Sequence, residues 1–134
     1  MTKVAVGIIV DDGKVLLCQR KRTARYPLKW EFPGGKLEPD ESAELCLQRE
    51  LAEELGIRGT IGLLYHQQHA VYPDSGVFDV FYYIVPGFHG AIVNHAFETY
   101  VWVPIQELPN YDILEGNRDV INKLLADDEI HQPG

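Results

Sequence analysis

Apolar positions along the chain recur with two different periods. Residues 4–10 and 14–19 are β-branched, apolar runs separated by Asp11-Asp12-Gly13, the turn chemistry of a hairpin, and they predict the first two strands. Residues 60–72 and 77–85, rich in Ile, Val, Phe and Tyr, flank Pro73-Asp74-Ser75-Gly76 and predict a second hairpin. A further strand is expected at residues 100–103. The period lengthens at Leu47, Leu51 and Leu55, in a stretch from Ser42 that lacks Pro and Gly, with Pro39-Asp40 as its start and Gly56 as its stop; this predicts a helix. Val120, Ile121, Leu124 and Leu125 repeat at helical spacing after Asn117 and predict a second helix, followed by a polar tail at residues 127–134. Residues 20–29 and Pro33-Gly34-Gly35 read as loops. Mixed strands with two helices imply an α+β architecture, an α/β/α sandwich with helices on either side of a central mixed sheet.

Composition narrows the classes of function. At 134 residues and 46% hydrophobic content the chain fits one globular domain, 1–134, with no linker or repeat. A formal charge of -8 argues against stable nucleic-acid binding, which rests on a basic surface. Cys18 and Cys46 show no CxxC or disulfide-rich spacing and read as reduced thiols. The apolar run at residues 4–10 is too short to span a bilayer and is followed by Asp11-Asp12-Gly13, not a cleavage site. No membrane association and a cytoplasmic location are expected.

The first helix carries the chemistry. Glu50, Glu53 and Glu54 stand at i, i+3 and i+4, which puts three carboxylates within one turn on one side, while the leucine stripe is free to bury against a core. Like charges at this spacing disfavour the bare helix by a few tenths of a kcal/mol, about 0.2–0.5 per pair. Arg49, four residues before Glu53, offsets part of the repulsion. A hard divalent cation, Mg²⁺ with Mn²⁺ as the alternative, would offset the rest, since carboxylate oxygens suit such ions.

Gly35, five residues, Glu41, seven residues, then Arg49-Glu50-Leu51-Ala52-Glu53-Glu54-Leu55-Gly56-Ile57 resembles the Nudix box at every defining position. Ala5-Val6-Gly7-Ile8-Ile9, Arg20-Lys21-Arg22 and Trp30-Glu31-Phe32-Pro33-Gly34-Gly35-Lys36 are similar to the MutT-like branch of that superfamily. The resemblance implies the Nudix fold and a hydrolase that cleaves a nucleoside diphosphate linked to another group. It implies Glu50, Glu53, Glu54 and the carbonyl of Gly34 as metal ligands, Gly35 and Gly56 as structural glycines, Arg49 as the group that orients the carboxylates, and Glu41 as one that holds the loop to the helix or binds the metal indirectly. The general base is drawn either from the box, as Glu53 or Glu54, or from a later loop, where Glu98 is the candidate.

Substrate contacts are expected at Arg20 and Lys36 for phosphate oxygens, with Lys21 and Arg22 either accessory cations or solvated strand-end charges. Phe32, Tyr72 and Phe78 are candidates to sandwich a base or to fill the core. Asn117 resembles the MutT-like asparagine that recognises oxidised guanine; as an equal alternative, its side chain caps the second helix. His66 and His69, three apart on a strand, face opposite sides and do not share a metal.

These features imply a Mg²⁺-dependent nucleoside triphosphate pyrophosphohydrolase that releases a nucleoside monophosphate and pyrophosphate, with 8-oxo-dGTP as the expected substrate. CTP or a modified pyrimidine nucleotide is the alternative, because residues 85–90 and 38–42 resemble relatives of that kind. ADP-ribose and dinucleoside polyphosphates remain open, since the box handles only the diphosphate. A noncatalytic nucleotide-binding Nudix module is the reading from another class, disfavoured by the retained acids. The partner is a small-molecule nucleotide, bound by a monomer or a homodimer.

Overall fold

A computed structural model describes residues 1–74 and 76–130. Among the described residues nine strands run in chain order: β1 (Thr2–Asp11), β2 (Lys14–Gln19), β3 (Trp30–Glu31), β4 (Gly34–Lys36), β5 (Arg58–Thr60), β6 (Leu64–Tyr72), β7 (Gly76–Val85), β8 (Gly87–His89) and β9 (Thr99–Pro104). Helix α1 (Ala43–Leu55) lies between β4 and β5, and α2 (Arg118–Ala126) follows two 3₁₀ turns, Ile105–Asn110 and Glu115–Asn117. The main sheet has the order β3-β2-β1-β7-β6, with β4 added on β1 and β9 on β2. β1 runs parallel to β7 from Thr2↔Phe78 to Ile9↔Val85, and the other pairings are antiparallel, so the sheet is mixed as expected.

Strict alternation along β1 and β2 sends their side chains to two separate cores. Val6, Ile8, Val15 and Leu17 pack with Val120, Ile121 and Leu124 of α2. Ala5, Ile9, Leu16 and Cys18 pack with Cys46, Leu47, Leu51 and Leu55 of α1. The helices therefore cover opposite faces, which is the predicted α/β/α sandwich. All four α1 residues are fully buried, and at roughly 1.5–3 kcal/mol per buried leucine that stripe outweighs the like-charge repulsion on the helix's other side. Both cysteines are free and buried. No helix among the described residues is long and apolar enough to cross a membrane.

Several expectations need correction. α1 begins two residues later than Pro39-Asp40 suggests, because Ser42 accepts from the amide of Leu45 (3.2 Å) and caps it; Gly56, at φ 66°, ends it as expected. The Pro33–Gly35 loop is in part strand. β1 and β2 share only two register pairs beside their turn, then diverge, and the gap is filled by β3 against β2 and β4 against β1. The close approach requires glycine at Gly34, where a methyl group would lie 2.1 Å from the carbonyl oxygen of Ala5. The strand expected at residues 60–72 is broken at 61–63, where the Gly62 amide donates to the Ile84 carbonyl (2.7 Å); its first part, β5, leaves to pair with β8. Of the connecting turn, Ser75 lies outside the described residues, as do residues 131–134 of the predicted tail. The near part of that tail is tied down by the Tyr65 hydroxyl donating to Asp127 (2.8 Å).

Candidate active site

Helix α1 is docked by its leucines so that its acidic side faces β4. The amide of Gly34 donates to Glu54 Oε1 at 3.1 Å. A methyl group on Gly35 would lie 2.3 Å from the carboxyl carbon of Glu50, so the second glycine leaves room for that carboxylate. Arg49 ties the cluster together. Its Nε and Nη2 donate to the two oxygens of Glu41 (2.8 and 2.9 Å), its Nη1 to Glu50 (2.9 Å) and at longer range to Glu53 (3.4 and 3.5 Å), and its Nη2 also reaches the carbonyl of Lys36 (3.2 Å). This fork geometry is specific to arginine.

The electrostatics divide the acids. The Arg49 guanidinium, helped by the Glu38 amide, holds the Glu41 carboxyl down at about 2. Glu41, burial and Glu50 act together on Arg49, and the net effect raises its pKa. Burial raises Glu50 against the pull of Arg49. Glu54 is pushed up to about 8, first by burial, then by the neighbouring Glu50 and Glu31, with the Gly34 amide only partly compensating. Among the described residues no three Asp, Glu, His or Cys side chains are gathered to enclose an ion. Glu50 and Glu53 turn to Arg49 while Glu54 turns to the Gly34 amide, because those are the nearest donors.

Beside the cluster opens a cavity of about 290 Å³, where β1 and β2 diverge. Gly34, Gly35 and Lys36 form its border with the acids. Phe32, Phe78, Val80 and Tyr82 supply its apolar wall, and Asn117 also lines it. Phe32 is also a core residue, 3% exposed. Phe78 packs edge-on against Tyr72 (5.7 Å between centroids), and Tyr72 against Tyr26 (5.3 Å). Lys36 Nζ lies 5.8 Å from the Phe78 ring centre and has no carboxylate partner among the described residues. Tyr26, its backbone in the left-handed region, reaches the cavity from the 20–29 loop and donates to Asp74 (2.7 Å).

Asn117 opens the second helix by position, yet its side chain makes no capping bond, and the capping alternative is thereby corrected. The 3₁₀ turn Glu115–Asn117 leads directly into the helix, and Asn117, 6% exposed, lines the cavity. The turn is held by the Gly116 carbonyl, which accepts from Gln68 (2.8 Å) and from the Tyr82 hydroxyl (3.0 Å).

Other expected residues are placed elsewhere. Glu98 is exposed and does not line the cavity; Asn94 shapes the turn before it, and its carboxylate accepts from the Arg22 amide at 3.3 Å. Lys21 and Arg22 are exposed outside the cavity. Arg20 lines it but is committed, its Nη1 donating to both oxygens of Glu31 (3.1 and 3.3 Å) and its Nε to the Arg25 carbonyl (2.7 Å). His66 pairs with Gln68 and His69 is exposed near Asp79, so they do not converge. Sequence reasoning passed over Glu31, whose carboxyl is raised by burial against the pull of Arg20, and Tyr82. The signal for Glu31 was present, a single acid between Trp30 and Phe32 in a segment otherwise apolar.

A family model of the NUDIX domain matches residues 1–124. The CTP pyrophosphohydrolase of Escherichia coli K12 is 36% identical over 94% of this chain and 93% of its own length. The 8-oxo-dGTP diphosphatase of Haemophilus influenzae is 32% identical over 92% of this chain and 90% of its own. The solution structure of the E. coli ORF135 protein superposes with a TM-score of 0.84 at 35% identity, covering 94% of this chain and 89% of that one. With the box residues gathered at α1 and β4 in a sandwich shared with these proteins, the chain belongs to the NUDIX domain family, the Nudix hydrolases.

Proposed function

We propose that this chain is a divalent-cation-dependent nucleoside triphosphate pyrophosphohydrolase that releases a nucleoside monophosphate and pyrophosphate. One observation carries the reading: carboxylates of α1 pack against Gly34 and Gly35, and the same two glycines line a base-sized cavity together with Asn117.

The donor set fits a hard cation. Its groups are all oxygens, Gly35 leaves space at Glu50, and burial, followed by the like charges of Glu50 and Glu31, pushes Glu54 up to about 8, a repulsion that a cation would relieve in part. Glu50, Glu53, Glu54 and the carbonyl of Gly34 would hold it, with Mg²⁺ the first choice and Mn²⁺ the second. When bound, such an ion supplies charge stabilisation at phosphoryl oxygens and a more acidic water. Arg49, with Glu41 behind it, positions the carboxylates. Lys36 has its ammonium available for a phosphate oxygen at the mouth of the cavity, whereas Arg20 is occupied by Glu31. Glu53, 59% exposed at its side chain, is better placed than Glu98 to take a proton from water beside the cluster. Phe32 and Phe78 would flank the base, and Asn117 would read its edge.

The first substrate to test is 8-oxo-dGTP. CTP is the second, favoured by the 36% identity to a CTP pyrophosphohydrolase. Retention of all three box acids argues against a noncatalytic module. The setting is a cytoplasmic enzyme of one domain, acting as a monomer or homodimer on free nucleotides. The test is chromatographic analysis of products formed with Mg²⁺ from 8-oxo-dGTP, dGTP, CTP, ADP-ribose and a dinucleoside polyphosphate, compared by kcat/KM, with a nucleoside monophosphate and pyrophosphate expected from the triphosphates. Preference for a triphosphate supports the proposal, and turnover confined to ADP-ribose or the dinucleotide overturns it.

A further inference from the structure

The cavity holds a second shielded polar group, and the proposed hydrolysis gives it no role. Glu31 belongs to the two-residue strand β3, has 17% of its side chain exposed, and lines the cavity. One nitrogen of Arg20 donates to both of its oxygens. Two consequences follow. The pair is neutral overall, so Arg20 is not a spare cation for phosphate. Each carboxylate oxygen also keeps lone pairs that no described donor fills, since an ionised carboxylate accepts at about four sites. Acceptors beside apolar walls and short of donors favour a ligand that donates to them.

Size limits what enters. At about 290 Å³ the cavity lies just under the roughly 300–1,000 Å³ of sites that enclose a drug-sized ligand, so it takes one heterocycle while the rest of a nucleotide extends over Gly34, Gly35 and Lys36 toward the acids. The heterocycle must suit a rigid carboxylate with two free acceptor directions. Guanine offers two neighbouring donors, its ring N–H and its 2-amino group. Hypoxanthine lacks the amino group, cytosine and adenine each present an amino group beside an acceptor nitrogen, and uracil presents one ring N–H.

We infer that Glu31, held by Arg20, determines base specificity by accepting from the ring N–H and amino group of a guanine-type base, with the Asn117 amide serving another edge of the same ring. This rests on the reading of the chain as a nucleotide hydrolase and deepens it by assigning the residue that selects the base. Glu31 is thus a specificity residue in contact with substrate, and Arg20 positions it.

The experiment compares dGMP with dIMP, which differ only in the 2-amino group, by calorimetric binding to the native protein in EDTA, and then dGTP with dITP by kcat/KM in Mg²⁺. Both ratios should favour guanine by about tenfold or more, as expected when a buried acceptor loses its donor, and Glu31→Gln should bring both within about threefold. Equal binding of dGMP and dIMP by the native protein overturns the inference without depending on any variant. So does preference for CMP over UMP without purine discrimination, or a loss in Glu31→Gln that is equal for every nucleotide. If no nucleotide is turned over yet dGMP still binds better than dIMP, the hydrolase reading fails and the base assignment stands.

Discussion

Replacing Glu54 with Gln separates the stability cost of a shielded acid from its use. Burial and the neighbouring Glu50 and Glu31 move the Glu54 carboxyl from the ordinary 4.5 to about 8. Between those values the folded protein holds a proton that the unfolded chain has released, so stability falls as pH rises, by about 1.4 kcal/mol per pH unit for a fully shifted group. The window of 3.5 units sets a ceiling of about 5 kcal/mol on the loss, and the group's partial exposure and the Gly34 hydrogen bond reduce it to roughly 1–3 kcal/mol. Gln keeps an oxygen to accept from the Gly34 amide but cannot ionise. In EDTA, urea unfolding followed by circular dichroism at intervals from pH 5 to 8.5 should therefore find Glu54→Gln close to wild type at pH 5 and more stable by roughly 1–3 kcal/mol at pH 8.5. Saturating Mg²⁺ should flatten the wild-type slope, and the variant should lose about 100-fold or more in kcat/KM. Wild-type and variant stabilities that run parallel across the whole range would refute the argument.

Arg49→Lys cannot reproduce the fork to Glu41 or the simultaneous contact with Glu50, and kcat should fall by about tenfold or more with a smaller change in KM. Because Glu41 is held down at about 2, its contribution to stability is present above the ordinary carboxylate pKa and lost as pH falls toward 2; acid unfolding of Glu41→Gln and wild type should therefore converge near that pH. Gly34→Ala meets the Ala5 carbonyl at 2.1 Å and should cost about 3 kcal/mol or more in urea unfolding, whereas Gly35→Ala meets the flexible Glu50 carboxylate and should lose activity with far less unfolding. Asn117→Ala removes no capping bond, so its stability should stay within about 1 kcal/mol of wild type while its base preference in the nucleotide panel changes. A loss in that variant equal for all bases would contradict the recognition role.

The elements legible in the sequence were those whose burial is one-sided or complete. Leu47, Leu51 and Leu55 announced α1, and the apolar runs at β1, β2 and β7 announced a sheet covered on both faces, because a period survives wherever one core decides every position. β3 and β4 escaped because a strand of two or three residues has no period and Gly34-Gly35 carry no side chains; only their partners on β1 and β2 define them. The break at 61–63 escaped because Gly62 answers to the Ile84 carbonyl, a contact distant in sequence. At the site the box was readable because its acids and arginine lie on one helix at fixed spacing. Arg20 looked like a phosphate ligand because its partner, Glu31, is eleven residues away in another strand. Glu98 was aimed by a turn that Asn94 shapes, and spacing alone does not encode that direction.

The two cores make the molecule separable in evolution. The carboxylates are borne by α1 on one face of the sheet, while Asn117 precedes α2 on the other, its turn anchored through Gln68 and Tyr82 on β6 and β7. Gly34 and Gly35 of β4 meet both, touching the acids and lining the cavity with Asn117. A substitution that reshapes the cavity around Asn117 need not disturb the leucines that dock the acids, so new nucleotide preferences can be explored while the hydrolytic apparatus stays intact. Divergence in this architecture should accumulate on the α2 side, and drift on that side is the route by which one scaffold comes to serve different nucleotide pools.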